Sequence, residues 1–389
     1  MTSADRGGGA SIVGIGQTEF SKAAGRSETQ LAAEAILAAL ADAGLASDDV
    51  DGVVSYTIDP VEETELVRAI GAPEVHWSSR VPYGGGGSQG VLLHAGAAVA
   101  SRSADVVVAY RAIKARSGRR FGAARPAAAP TSSHSGSTAM QWCSPFGVMT
   151  PASWMSLNAV RYMHAFGVTN EDFGRAVVDM RAYAATNPNA HFYGRPITLD
   201  DHQASRWIAE PAIRLFDCCQ ETDGAAAVVV TRGDRAADTA APVEIAAAAT
   251  AGLFEEEIAS NHYRPDLAVM DGSVALAKRL FDDTGVSRDD LDVAMIYDAF
   301  SPILLMQLEA LGFCGFGEAK DFVADGQLRA KGSLPCNTNG GLIGEGYIHG
   351  LNLTLEAVRQ LRGTAVNQVD DAQVALISAS RTGAILRRP

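Results

Sequence analysis

The sequence predicts an α/β protein assembled from two copies of one unit, on three observations. Residues 42–56, DAGLASDDVDGVVSY, and residues 283–297, DTGVSRDDLDVAMIY, agree at six of fifteen positions in a single register. The shared pattern is a helix end, Gly, an Asp pair, a third Asp, an apolar strand and a closing Tyr. Each copy leads to a glycine run that opens a helix, 84–87 in the first and SLPCNTNGGLIGEGYIH (333–349) in the second. Each helix gives way to an apolar strand, 106–110 and 374–378. Repetition of a βα unit marks an internal duplication, and its alternation predicts mixed, mostly parallel sheets sandwiched by helices. The two glycine-rich helix starts are then expected to meet near one pseudo-twofold axis.

In chain order, residues 1–10 read as a polar leader and 11–16 as a short apolar strand. The G-x-G within that strand lacks the third glycine and the later acidic residue of a dinucleotide site. Residues 28–42 form an Ala-rich helix stopped by Gly44, and 51–56 a strand. The glycine run then feeds a helix over 88–100 and a strand over 105–110. From 112 to 151 the composition turns to Arg, Ala, Pro and Ser, an excursion from the core. Helices follow at 154–164 and 170–186, then loop-like sequence over 187–211 with a short helix start near Asp200 and Asp201. The core resumes with a turn at Asp223–Gly224, strands at 225–231 and 243–249, and a helix at 274–283. Residues 1–115 thus open the N-terminal half, 116–220 form an inserted loop or lid domain, 221–270 complete that half, and 271–389 make the C-terminal half.

Composition narrows the function. The chain has 389 residues, 47% apolar and 20% charged, the balance of a globular protein with more than one core. A net charge of −13 argues against nucleic acid and anionic membrane surfaces. Five cysteines show no C-x-x-C or Cys/His ligand spacing, so neither a disulfide framework nor a metal site is expected. The absence of a signal-like leader and of a long apolar run leads to the expectation of a soluble, cytoplasmic protein. A Gly-rich loop entering a helix N-terminus presents N–H groups and partial positive charge, suited to an anion or a developing oxyanion.

The duplicated halves, the DGAAAVV turn and strand (223–229) and the NTNGGLIGEG loop (337–346) resemble the thiolase superfamily. The likeness runs over nearly the whole chain, 12–386, and is strongest to the sterol-carrier, lipid-transfer branch. It implies the thiolase fold. Working members of that family carry a nucleophilic Cys at the first central helix, a G-H-P loop and a further Cys motif. Here the nucleophile position falls on Gly86, followed by Gly87 and Ser88. Tyr347 stands where the loop histidine is usual, Tyr297 opens YDAF where Asn or His is usual, and SASRTG (378–383) replaces the last motif. Without a thiolate no acyl-enzyme forms, which excludes thiolysis.

The same substitutions resemble a narrower group, the thiolase-like aldolases of bacterial steroid side-chain degradation. That resemblance implies a retro-aldol lyase splitting a 17-hydroxy steroid C22-CoA thioester of the 17-hydroxy-3-oxo-4-pregnene-20-carboxyl-CoA type into a 17-ketosteroid and propionyl-CoA. It implies Tyr297 and Tyr347 as the catalytic pair, a homodimer, and a small OB-fold, zinc-ribbon partner, sometimes fused to a hydratase. No cofactor is expected beyond the CoA of substrate and product. Such a reaction needs a base for the hydroxyl, donors for the enolate oxygen and an acid for the α-carbon. Tyrosine, with an ordinary pKa of about 10, needs that value lowered to act as a base, and helix N-termini are expected to do so. Backbone N–H groups around Gly86, Gly87, Ser88, Gly344 and Gly346 are the expected oxyanion donors. Asp298 either orients Tyr297 or caps the next turn, and Glu345 and His349 flank Tyr347 as supporting residues or packed ones. Arg116, Arg119 and Arg120 suit CoA phosphates or a solvated face. The competing readings are an aldolase for another β-hydroxyacyl-CoA and a non-catalytic acyl-CoA or lipid carrier.

Overall fold

The computed structural model describes residues 9–82, 85–118, 120, 122–123, 143–236, 239, 241–252 and 266–389. Arg119, Gly84 and much of the expected excursion at 112–151 lie outside these residues. The strands in chain order are β1 (Ala10–Gln17), β2 (Gly52–Tyr56), β3 (Trp77–Val81), β4 (Val106–Lys114), β5 (Trp207–Ala209), β6 (Ile213–Arg214), β7 (Asp223–Arg232), β8 (Val243–Thr250), β9 (Val293–Ile296), β10 (Val374–Ala379) and β11 (Thr382–Arg387). All but the small β5–β6 pair join one sheet in the order β3-β2-β4-β7-β1-β8-β11-β10-β9.

That order reads as two halves meeting at β1 and β8, which share only a short pairing of Ser11 with Glu244 and Ile12 with Val243. On each side the pairings repeat. β1 with β7 and β7 with β4 are antiparallel, as are β8 with β11 and β11 with β10. β4 with β2 and β10 with β9 are parallel. β3 adds a further parallel strand on the first flank, and an isolated Ala294–Cys336 bridge stands in its place on the second. The mixed sheet is therefore parallel at its flanks and antiparallel through its middle, where β7 and β11 run against both neighbours.

The repeated sequence makes the same local structure twice. Helices Glu28–Ala43 and Asp271–Thr284 end on Gly44 and Gly285, at φ 70° and 66°, where L side chains are disfavoured. Asp49 accepts from the Ala46 N–H at 2.9 Å and Asp290 from the Ser287 N–H at 2.7 Å. The third Asp of each copy ties its strand to the next. Asp51 takes the Asp105 and Val106 N–H groups, and Asp292 those of Gln373 and Val374.

Strand alternation divides the core. Val107 and Ala109 of β4 face the inner cluster with the two central helices, Gly90–Ala100 and Leu351–Arg362, while Val106, Val108 and Tyr110 face the outer helix Glu28–Ala43. Ala294 and Ile296 of β9 face a third cluster with Asp271–Thr284 and Ser301–Ala310. The G-x-G of β1 serves this packing. A Cβ on Gly14 would lie 2.1 Å from the Ala39 carbonyl oxygen, so only glycine lets the helix approach so closely.

Candidate active site

Tyr297 follows the last residue of β9. Its N–H donates to Ser378 O at 2.8 Å, and its carbonyl accepts from Gln307 Nε2 at 2.7 Å, which fixes the backbone from both sides. Tyr347 lies between the short helix Gly341–Gly344 and the central helix Leu351–Arg362. Its N–H donates to Thr222 Oγ1 at 3.0 Å, beside a bridge to Glu221. The two phenol oxygens are 3.0 Å apart, and both residues are buried. They face a pocket of about 1210 Å³ together with Gly85, Gly86, Arg111, Cys218, Cys219, His349 and Ser380.

The expectation of lowered phenol pKa values is not met. Burial pushes Tyr297 well above its ordinary value, and the neighbouring Tyr347 adds to the shift. Burial also raises Tyr347, with Cys219 contributing and the Arg111 charge opposing. The loss of water around the rings favours the neutral phenols.

Gly86 occupies the position expected of a nucleophile, and its missing Cβ would lie 3.4 Å from the Cβ of Ser380 in SASRTG. Gly86 and Ser380, where the resemblance leads one to expect cysteine motifs, thus face each other. Cys218 and Cys219 do line the pocket, which their local sequence did not announce, but burial holds both thiols far above the range where thiolate forms. Cys314 and Cys336 are not among the pocket residues.

The expected oxyanion donors separate. Gly86 lines the pocket, whereas Gly87, Ser88, Gly344 and Gly346 do not. The Ser88 N–H donates to Gly85 O at 3.0 Å and the Gly344 N–H to Gly340 O at 2.9 Å. Gly344 and Gly346 are small because Ala184 and Phe20 press on them, each within 2.6 Å of where a Cβ would stand.

Asp298 acts on the backbone rather than on the Tyr297 hydroxyl, which contacts Tyr347. Its Oδ1 accepts the Leu342 N–H at 2.8 Å, so it caps the short helix that leads to Tyr347 and joins the two tyrosine-bearing segments. Burial pushes its pKa up to about 7. Glu345, also pushed up to about 7 by burial, is held by the side-chain amides of Asn339, Asn352 and Asn187 at 2.5, 2.7 and 3.3 Å. His349 accepts at Nδ1 from Arg111 Nε at 2.9 Å. Arg111 lies one residue beyond the strand expected over 105–110; the available signal was a charge within the apolar run VVVAYRAI.

Cations dominate the pocket's polar wall: Lys22, Lys114, Arg116, Arg120 and Arg206 against Glu28 and Glu221. Arg120 is ion-paired to Glu221 at 2.7 Å. Apolar side chains, including Trp154, Met155, Ile208, Met270 and Phe300, line the remainder. Among the described residues no group of His, Cys, Asp and Glu converges as metal ligands, and no helix is long and apolar enough to cross a membrane.

Fold and site define a thiolase-type scaffold whose pocket holds a tyrosine pair. Residues 255–387 match the family described as thiolase C-terminal domain-like. A steroid side-chain-cleaving aldolase of Thermomonospora curvata is 49% identical over 96% of this chain and 95% of its own. A 17-hydroxy-3-oxo-4-pregnene-20-carboxyl-CoA lyase of Mycobacterium tuberculosis is likewise 49% identical, over 96% of each. The solved structure of an Ltp2-ChsH2(DUF35) aldolase superposes with a TM-score of 0.93 at 47% identity, covering 98% of both chains. Human mitochondrial 3-ketoacyl-CoA thiolase, at 15% identity and a TM-score of 0.68 over 98% of both chains, shares the fold. The chain belongs to the thiolase superfamily, in the aldolase family of the first two relatives, and is a carbon–carbon lyase.

Proposed function

We propose that the protein cleaves a 17-hydroxy steroid C22-CoA thioester into a 17-ketosteroid and propionyl-CoA by a retro-aldol reaction without a covalent intermediate. The observation that carries this reading is the direct 3.0 Å contact between two neutral phenols at a large pocket. The cleavage moves one proton and no net charge. The hydroxyl proton leaves as the C17–O bond becomes a carbonyl, and the C17–C20 electrons pass into the thioester as an enolate. C20 takes up a proton in the same event, so the two phenols never hold a third proton between them. Two neutral tyrosines in contact support this as a relay. One phenol oxygen accepts the substrate proton while its own proton crosses to the other, which delivers a proton to C20. No free phenolate forms, which reconciles the chemistry with pKa values raised by burial.

The Gly85–Gly86 turn, which lines the pocket, is the proposed donor to the thioester oxygen. The phosphates of CoA are proposed to meet Lys114, Arg116 and Arg206, since Arg120 is already engaged by Glu221. The pocket exceeds the roughly 300–1,000 Å³ of ordinary ligand sites, in keeping with a substrate that joins a steroid to CoA. We further propose a homodimer that works with a small OB-fold, zinc-ribbon partner; the relative solved as an Ltp2-ChsH2(DUF35) aldolase supports a partner of the DUF35 kind. Tyr297→Phe and Tyr347→Phe should each lower propionyl-CoA release by about 10²–10⁴-fold with the fold intact. Turnover near that of the parent in either variant contradicts the reading.

A further inference from the structure

Arg111 lies in β4, in the run VVVAYRAIK, and is 1% exposed. Its Nη1 donates to Asp59 Oδ2 and to the Ala112 carbonyl, each at 2.6 Å, and its Nε donates to His349 Nδ1 at 2.9 Å. Asp59 is in turn held by the Val61 N–H at 3.0 Å. One side chain thereby ties the first-half sheet to the loop that carries Tyr347.

A guanidinium only donates. The Nδ1 of His349 is therefore a lone-pair acceptor, and the neutral ring carries its proton on Nε2. The ring stands edge-on to Tyr347, with centroids 5.1 Å apart at 83°, and its backbone has φ 58°, a left-handed conformation uncommon for histidine. Among the described residues, the charged and titratable groups that face it include Arg111 and Tyr347, with Asp59 and Tyr56 behind the guanidinium, the Tyr56 ring 5.9 Å from its carbon. Burial, reinforced by the Arg111 charge, holds His349 well below its ordinary pKa.

A histidine in this place would ordinarily be the stronger base. Its reference pKa is about 6.5, so it would titrate ahead of a tyrosine and intercept the proton leaving the substrate hydroxyl. We propose that Arg111 is a positioning residue that locks His349 as a neutral Nε2–H imidazole against Tyr347. The histidine then cannot take the substrate's proton, and the tyrosine pair alone carries it. This rests on the tyrosine relay and assigns the residue that keeps a competing base silent.

The direct test is ¹⁵N NMR of the histidine-labelled full-length protein from about pH 5 to 9, with the His349 signals assigned by their loss in His349→Gln. The expected result is an unprotonated, hydrogen-bonded Nδ1 and a protonated Nε2 that do not titrate. A proton on Nδ1, or a titration within that range, overturns the proposal. The functional test is the double variant Asp59→Asn/Arg111→Gln, which removes both charges and leaves no orphaned carboxylate. It should acquire an acid limb in kcat, absent from the parent, below about pH 6.5 since burial of His349 remains, with KM changed by less than about threefold. A uniform loss of activity with the parent's pH profile would make Arg111 merely structural. If the double variant does not fold, the NMR measurement on the parent protein decides. Retained turnover in Tyr297→Phe or Tyr347→Phe would instead remove the relay itself, so the two failures are distinguishable.

Discussion

Replacing Gly341 with alanine strikes the join between the two tyrosine-bearing segments. Gly341 has φ 64°, and a Cβ there would stand 2.1 Å from Asp298 Oδ2, far inside contact distance. Two costs follow. An L side chain in the left-handed region costs about 1–2 kcal/mol. Displacing the carboxylate loses its hydrogen bond from the Leu342 N–H, a bond to a charged acceptor contributing about 1.5–3 kcal/mol. Destabilisation by about 2.5–5 kcal/mol is expected, read from equilibrium urea unfolding at fixed pH. The overlap also requires the short helix before Tyr347 to shift by something near 1 Å relative to Asp298, and a displacement of that size costs about 10²-fold in rate. The prediction is therefore a loss in kcat of about two orders of magnitude with a smaller change in KM. A variant within about 1 kcal/mol of the parent and within about threefold in kcat would refute the idea that Asp298 holds the tyrosines in register.

Other expectations follow from the same geometry. Glu345→Gln should flatten the pH dependence of stability. The folded pKa of about 7 lies above the unfolded value of 4.5, so the penalty of ionising this buried group is absent below about pH 4.5 and complete above about pH 7. Parent stability should thus fall as pH rises through that window, by up to about 3 kcal/mol from this group, and comparison of urea midpoints for parent and variant isolates the effect. Because both phenols are pushed upward, kcat should show no alkaline limb below about pH 10; a limb between about pH 7 and 9 would point to a free phenolate. Arg116→Ala and Arg206→Ala should each raise KM for the CoA thioester by about tenfold with kcat little changed, and Arg120→Ala, already paired to Glu221, by less.

The duplication was legible because its signals are local. The Asp, Gly and strand pattern at 42–56 and 283–297 makes the same helix stop and the same strand tie in each half, within a few residues of chain or at the next strand. Tyr297 and Tyr347 were legible as a pair through the family motifs they interrupt. What the sequence withheld depends on distant neighbours. Arg111 reads as one charge in an apolar strand until Asp59 and His349 are seen beside it, 52 and 238 residues away. Gly344 and Gly346 resemble loop glycines meant for a ligand, but Ala184 and Phe20 require their smallness. The direction of the tyrosine pKa shifts was misjudged for the same reason, since burial is a property of the assembled core rather than of the motif.

The central claim is that this pocket breaks a carbon–carbon bond with two tyrosines and no nucleophile. The most direct measurement is incubation of the 17-hydroxy steroid C22-CoA thioester with the protein in D₂O, with and without the small partner, followed by mass spectrometry of the acyl-CoA. The account predicts 17-ketosteroid and propionyl-CoA carrying one deuterium at the former C20, formed without added CoA and lost in Tyr297→Phe and Tyr347→Phe. No propionyl-CoA under either condition, or product only when free CoA is supplied, would contradict it.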